Sequence, residues 1–286
     1  MDTEYQKALN VWKQGQKLND DDYHASTGFL SNSFIGDFQE CEYSAIIEGA
    51  LKQGDTFSQT YAIGHLVKAY IFEGEEGFLN MCERYKHKAY SKQKGKTNQP
   101  LKWVTDSKVW ANQVLRHDYL KRLLRSESSI YHQVITFDLH GMKWRGEIDY
   151  LNLNKMTEID LKTTKSNFKD RKFNPETRNY DLTFIDEWNY HRQRALYQEG
   201  IKQTYDKLVT PRILGISKTT GSCKMFKFDD QERLDYELEQ LKPVVDRFKA
   251  VIDGAEPGKC HVCPKCVEVE DLTMEVKTSS YCAKVY

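Results

Sequence analysis

Apolar residues recur along this chain at two periods, and the changes between them mark its elements. Residues 1 to 29 hold few apolar positions and read as a helix followed by a polar loop through Asp20-Asp21-Asp22 and Tyr23-His24. From Leu30 to Gly49 the period is helical, with Ser31 or Ser33 as N-cap. Phe34, Phe38, Cys41, Ala45 and Ile46 fall near one stripe, which turns Cys41 inward. A second helix is predicted from about Ser58 to Glu73. A third runs from Ser107, read as its cap, to about Arg125, with Val109, Trp110, Val114, Leu115 and Leu124 as core positions. Alternation then takes over: a strand from Ile130 to Leu139, a turn at His140-Gly141 and a strand ending at Asp149. A turn at Asn152-Leu153-Asn154-Lys155 leads to a strand closed by Asp160-Leu161-Lys162. A helix from Phe184 to Tyr205, strands near Arg212 to Ser217 and Lys224 to Phe228, and a helix from Asp229 to Ile252, kinked at Pro243, complete the order. Helices, meander, helix, strands and helix in that sequence predict an α/β (α+β) fold with a central mixed β-sheet flanked by helices.

Charge alters this picture only locally. Lysine plus arginine number 42, as do aspartate plus glutamate, so any polyanion must be met by patches. Residues 84 to 102 are lysine-rich without an acid and read either as a solvated loop or as a phosphate-contacting flap, to which Tyr85 and Tyr90 could add stacking. The linker from Ser166 to Thr183 carries Lys169, Arg171, Lys172 and Arg178 and reads as a substrate-side loop. No apolar run is long enough to span a bilayer and the opening MDTEYQKALN is not a signal peptide, so the expected compartment is the cytoplasm, with no membrane partner. Seven cysteines in a reducing compartment are metal ligands or buried small residues rather than disulfides.

Two clusters carry chemistry. The hairpin brings Asp149 beside Asp160, with Lys162 on the same strand face, and two close carboxylates resist joint ionisation unless a cation lies between them. Taken alone, an acid followed by Asp-Leu-Lys is more often an ordinary surface hairpin. Near the end, Cys260, Cys263 and Cys266 stand at C-x2-C-x2-C, matching three positions of a ferredoxin-type [4Fe-4S] run that needs a fourth thiolate from elsewhere. The rival is zinc held by these three with His261, Cys41 or Cys282. Cys82 and Cys223 read as isolated buried residues.

In order along the chain, Gly64-His65, Gly146-Glu147-Ile148-Asp149, Asp160-Leu161-Lys162-Thr163-Thr164, and Gln193 with Tyr197 four residues on resemble the PD-(D/E)XK nuclease superfamily. Within it the chain looks more like the branch of the RecB nuclease domain, lambda exonuclease and the RecE (exodeoxyribonuclease VIII)-like enzymes. The segment from Leu30 to Cys41 resembles that branch's N-terminal helix, and the likeness runs from about Tyr23 to Cys266. The family's proline before the first acid is replaced by Ile148. The resemblance implies Asp149 and Asp160 as acids binding Mg2+ or Mn2+, Lys162 as the catalytic lysine, and His65 and the Leu161 carbonyl as further ligands. Gln193 and Tyr197 would buttress the site and contact substrate. Glu158, on the same strand face as Asp160, reads as an extra acid or, by preference, as a solvated strand end.

The implied activity is that of a DNA exonuclease, RecE-like and running 5′ to 3′, leaving 5′-phosphate and 3′-hydroxyl ends in phage or bacterial recombination or end resection. The implied partners are linear duplex or single-stranded DNA ends, a single-strand annealing protein and further copies of the chain. Members of the branch that hold a [4Fe-4S] cluster join one cysteine of the N-terminal helix to three near the C-terminus, which implies Cys41 with Cys260, Cys263 and Cys266. The expected organisation is an extension over 1–29, a nuclease domain over 30–256 and a cysteine-rich metal-binding segment over 257–286 packed on that domain. The alternatives are an iron-sulfur nuclease trimming single-stranded DNA, and a catalytically weak, metal-stapled DNA-binding or assembly protein.

Overall fold

The computed structural model describes residues 3–15, 28–51, 57–93, 96 and 98–267; the acidic run at 20–22, Tyr23-His24 and Cys282 lie outside the described residues. Helix α1 (Thr3–Lys13) buries Tyr5, Ala8, Leu9 and Trp12 on one face. The helix expected from Leu30 is two, α2 (Asn32–Glu40) and α3 (Glu42–Leu51), because Cys41 between them is extended at φ −158° and ψ 103°. Ser31 caps α2, its Oγ accepting from the Phe34 amide at 3.2 Å. Helix α4 (Gln59–Arg84) continues beyond Glu73, broken at Gly74, whose φ of 77° and ψ of −151° only glycine adopts without strain. After α5 (Lys86–Ala89), the chain returns through a Tyr90–Pro100 bridge to α6 (Lys102–Leu115) and α7 (Asp118–Leu124). These replace the single helix predicted from Ser107. That serine is no cap: it lies buried inside α6, donating to the Trp103 carbonyl at 2.7 Å, and Val109 is exposed.

Strands β1 (Ile130–Leu139) and β2 (Met142–Asn152) meet at His140-Gly141, both at positive φ, the geometry of a tight hairpin turn. Asn152 pairs with Thr157, so the next turn is Leu153 to Met156, one residue later than predicted, before β3 (Thr157–Thr164). In the basic linker β4 (Lys172–Asn174) and β5 (Asn179–Leu182) make a separate two-stranded ribbon. The helix predicted from Phe184 is broken into α8 (Phe184–Glu187) and α9 (Tyr190–Tyr205) at Asn189, in the left-handed conformation that asparagine tolerates. Strands β6 (Thr210–Ser217) and β7 (Cys223–Lys227) precede α10 (Gln231–Ile252). Helix α10 runs unbroken through Pro243, with Leu241 and Val245 on either side of it buried in the core.

The five-stranded sheet runs β1-β2-β3-β6-β7, with β3 and β6 parallel and the other pairs antiparallel, so β3 is central and paired along both edges. One core cluster joins residues of α1, α2, α3, α9 and α10 to Trp144, Ile148 and Leu151 of β2. Within it the Trp12, Phe34, Phe38 and Phe248 rings meet at centroid distances of 4.9 to 6.0 Å, contacts worth about 0.5–1.5 kcal/mol per pair beyond area burial. A second cluster seats α4, α6 and α7 on Tyr150, Ile159, Leu161, Leu214 and Ile216. Among the described residues, no helix is long and apolar enough to cross a membrane. Cys82 is buried, whereas Cys223, expected to be buried, is partly exposed on strand β7.

Candidate active site at a fork in the sheet

Strands β2 and β3 pair through Asn152–Thr157, Leu151–Glu158 and Tyr150–Ile159. One step further in that register would set Asp149 opposite Asp160, but the main-chain pairing stops there. The carboxylate of Asp149 fills the gap, its Oδ2 accepting from the Leu161 amide at 2.8 Å. Leu161, expected to lend its carbonyl, is thus also where the first acid is fastened. The other edge of β3 stays paired with β6, Asp160 against Ile213 and Lys162 against Gly215, which keeps the acid-bearing strand straight.

Glu158, Asp160 and Lys162 alternate onto one face. Asp160 is buried; its Oδ1 lies 3.1 Å from Arg194 Nη2 and its Oδ2 2.9 Å from Lys162 Nζ, both off the hydrogen-bond direction. Arg194 Nη1 bonds Glu158 Oε1, and both side chains are fully buried. Glu158 is therefore no solvated strand end, because α9 covers it with a guanidinium. From the other side Lys68 of α4 reaches Asp149 Oδ1 at 2.6 Å. Three carboxylates meet three cations. Burial alone would raise the Asp160 pKa, but Arg194, Lys162 and Lys68 outweigh it and hold the carboxyl at about 2. Burial dominates at Glu158 and, with repulsion from Asp160, outweighs Arg194 and lifts it to about 7. Burial works against charge on Lys68 as well, yet Asp149 and Asp160 overcome it and raise its pKa.

His65 sits three residues before Lys68, on the same helix face, with Nδ1 2.6 Å from the Tyr85 hydroxyl. Helix α4 crosses close to β3 here: a Cβ on Gly64 would stand 3.9 Å from Thr163 Oγ1. Gln193 is on α9 with its side-chain oxygen buried and without a hydrogen-bond partner among the described residues. Tyr197 stacks on the Arg194 guanidinium at 4.5 Å and lies over Gly146, where a Cβ would approach its ring to 2.8 Å. Tyr190, its phenol held protonated by burial and by Asp160, places its ring 5.5 Å from Lys162 Nζ. Lys68, Arg194 and Tyr190 carried no motif. Lys68 could have been found from its i+3 offset to His65, but nothing in His191-Arg192-Gln193-Arg194 separates the buried arginine from the one beside it.

The two carboxylates and the carbonyl edge of β3 are oxygen donors of the kind a hard divalent ion takes, while His65, whose Nδ1 is bonded to Tyr85, is not gathered with them into one ligand group. Asp160 Oδ2 is buried without a hydrogen bond, and the ammonium of Lys68 against Asp149 marks a spot whose field favours a cation.

The second cluster lies where the C-terminal segment meets α3. The Sγ atoms of Cys41, Cys260, Cys263 and Cys266 are all within 4.8 Å of one another, Cys41 standing 3.4 Å from Cys266 and 3.9 Å from Cys263. The extended break at Cys41 points its thiol at this group. Hydrogen bonds from Cys266, Cys260 and the Lys265 amide outweigh burial and hold the Cys263 thiol at about 6, while burial and bonds to Cys41 and Cys263 push Cys266 up to about 12. A clamp beside it docks the segment: Glu42 accepts from Arg247 at 2.8 and 2.6 Å and from the Gly258 amide at 2.7 Å, and Lys265 reaches Glu4 at 2.8 Å.

A family model described as a PDDEXK-like domain of unknown function (DUF3799) matches residues 31–269. The crystal structure of a candidate exonuclease from Eubacterium rectale covers 95% of this chain and 100% of its own at 20% identity, with a TM-score of 0.76, a likeness of fold. The structure of SSO0001 covers 82% of this chain and 96% of its own at 11% identity, with a TM-score of 0.30 too low to bear on the comparison. No curated protein matches the sequence. The family match takes in the forked strands, the lysine beside them and all four converging cysteines, and the chain belongs to the family of PDDEXK-like domains of unknown function.

Proposed function

We propose that this chain is a divalent-metal-dependent deoxyribonuclease, a RecE-like exonuclease that runs 5′ to 3′ on linear DNA ends and leaves 5′-phosphate and 3′-hydroxyl products. Its setting is recombination or end resection in a bacterial or phage-infected cytoplasm. The observation that carries this reading is the fork, where Asp149 and Asp160 converge with Lys162 beside them. The family match and the fold shared with the candidate exonuclease from Eubacterium rectale support the same class.

In this reading His65, Asp149, Asp160 and the Leu161 carbonyl hold Mg2+ or Mn2+, which when bound polarises the phosphate and eases deprotonation of the attacking water. The Asp160 carboxyl, held at about 2, is anionic throughout the working range. Lys162 presents its ammonium between Asp160 and the Tyr190 ring, where charge builds on the phosphate oxygens in the transition state. Tyr197 keeps Arg194 in place, and Arg194 keeps Asp160 oriented. Gln193 offers a buried acceptor oxygen to water or substrate.

The test is digestion of linear duplex DNA labelled at its 5′ or 3′ end, with closed circular and single-stranded controls, in magnesium or manganese. Wild type should shorten linear DNA from one end while Asp160→Ala does not. If neither chain cuts while both still bind DNA, the nuclease reading is lost to that of a DNA-binding assembly protein.

At the cysteines the spacing favours zinc over the [4Fe-4S] cluster that the resemblance implies. Four thiolates at about 2.3 Å from one tetrahedral ion stand roughly 3.8 Å apart. The separations of 3.4 and 3.9 Å, with all four sulfurs within 4.8 Å of one another, lie around that figure, whereas four interposed irons would spread the thiolates further. Metal analysis of anaerobically purified protein decides it: one zinc per chain without colour supports the single ion, and iron with visible absorbance overturns it.

A further inference from the structure

The whole chain is neutral, yet every charged residue from Arg84 to Lys102 is cationic. Of these, Arg84, Lys86, Lys88, Lys92, Lys96 and Lys102 are described, and all are exposed. Glu83 and Asp106, at the two margins, take Lys86 and Lys102. Its described residues on either side, 84–93 and 98–102, are fastened to each other and to the core. The Leu101 amide donates to the Ala89 carbonyl at 2.8 Å and the Ser91 amide to the Gln99 carbonyl at 2.9 Å, while buried Ala89 and Val104 pack with Leu66, Phe78 and Cys82.

Aromatic rings connect this segment to the fork. Tyr85, bonded to His65, takes the edge of Phe57 at 5.9 Å; Phe57 also meets Trp103 at 6.1 Å and has Lys88 5.9 Å from its ring centre. Tyr61, four residues before His65 and so on the same face of α4, is 73% exposed, and Phe57 is 41% exposed. Exposed rings are useful to a ligand with open π-faces, and clustered lysines to one with repeated phosphates. An unpaired nucleic-acid strand has both, whereas a duplex hides its base faces in the stack.

We propose that Phe57, Tyr61 and the exposed lysines Lys88 and Lys92 form the seat of an unpaired DNA strand running between the solvent and the candidate active site. This rests on the reading of the fork as a DNA-cleaving site. Bases stack on Phe57 and Tyr61 while Lys88 and Lys92 follow the backbone, so the strand reaches His65 already separated from its complement.

The experiment is fluorescence anisotropy with a labelled oligothymidylate and a blunt duplex of equal length, without added magnesium or manganese, using the full chain. Tyr61→Ala and the double variant Phe57→Ala/Tyr61→Ala are compared with Tyr119→Ala, an equally exposed ring on α7. The double variant should bind the single strand at least about tenfold more weakly and the duplex within about twofold of wild type, with Tyr61→Ala in between. Phe57→Tyr/Tyr61→Phe should restore strand binding, and Tyr119→Ala should leave it alone. Lys88→Ala/Lys92→Ala should reduce the salt slope of strand binding by about 1.4. Unchanged strand binding in the double variant, or equal losses for strand and duplex, overturns the seat. Cleavage by wild type, measured separately in magnesium, tells that failure apart from failure of the nuclease reading.

Discussion

At the fork between β2 and β3 three carboxylates meet three cations, Lys68, Lys162 and Arg194, each brought from a different element. At the junction of α3 with the C-terminal segment four thiols meet chiefly one another. At the first centre the counter-charge for the carboxylates comes from the protein's own side chains. The second has sulfur crowded on sulfur, and ionising more than one thiol there calls for an external cation. The two centres thus differ in where their counter-charge comes from.

The contrast is broken most severely by Asp149→Asn. Removing charge from the balanced centre should cut DNA cleavage roughly a thousandfold, about 4 kcal/mol in the barrier, while DNA binding measured by anisotropy stays near wild type. Arg194→Leu attacks the balance from the other side by leaving Glu158 and Asp160 buried without their shared guanidinium. Denaturant unfolding should show a loss of about 3–5 kcal/mol, and a stability equal to wild type would mean that the counter-charge is dispensable. At the staple, Cys41→Ser or exhaustive chelation should cost about 3 to 4 kcal/mol, the linkage expected for an ion at several hundred times its dissociation constant, with new protease sensitivity near Gly258. Unchanged melting in chelator would show that no ion is needed there.

The smallest effect concerns the clamp beside the staple. Arg247 hydrogen bonds, with burial opposing and the Gly258 amide assisting, lower the pKa of Glu42 from 4.5. A depressed carboxylate stabilises the fold above its unfolded pKa, and that contribution is lost as pH falls below about 4.5 toward the folded value. Because the pair is partly solvated, Glu42→Ala should cost less than about 1 kcal/mol at pH 7 in thermal melts, and the difference from wild type should vanish in acid.

Much of both centres could be read before the fold was known, and the reasons differ. Asp149, Asp160 and Lys162 share a hairpin, so strand periodicity alone places them, and only the one-residue shift of the turn to Leu153–Met156 was missed. Cys41 lies far from the other cysteines in sequence, and it was the resemblance rather than any local period that paired it with them. Lys68 and Arg194 were not seen because a buried cation on a helix looks in sequence like a solvated one until its partner is known. The helix breaks escaped for another reason: Cys41 is extended and Asn189 left-handed because of what surrounds them, and neither is a glycine or proline that announces a stop. Ser107 misled in the opposite sense, since a serine bonded back to Trp103 inside a helix has the same letter as one that caps it.

The central place of β3 also governs when the acids can act during synthesis. Its edges are taken by residues 142–152 on one side and 210–217 on the other, the latter across a parallel pairing that waits for the whole of α9. A nascent chain whose β6 is still inside the ribosome carries Asp149 and Asp160 on strands that can pair only on the β2 side of β3. The staple is later still, because Cys41 must await Cys266. In this order of emergence the acids, which lie near the middle of the chain, acquire their full set of neighbours only after β6 has joined the sheet.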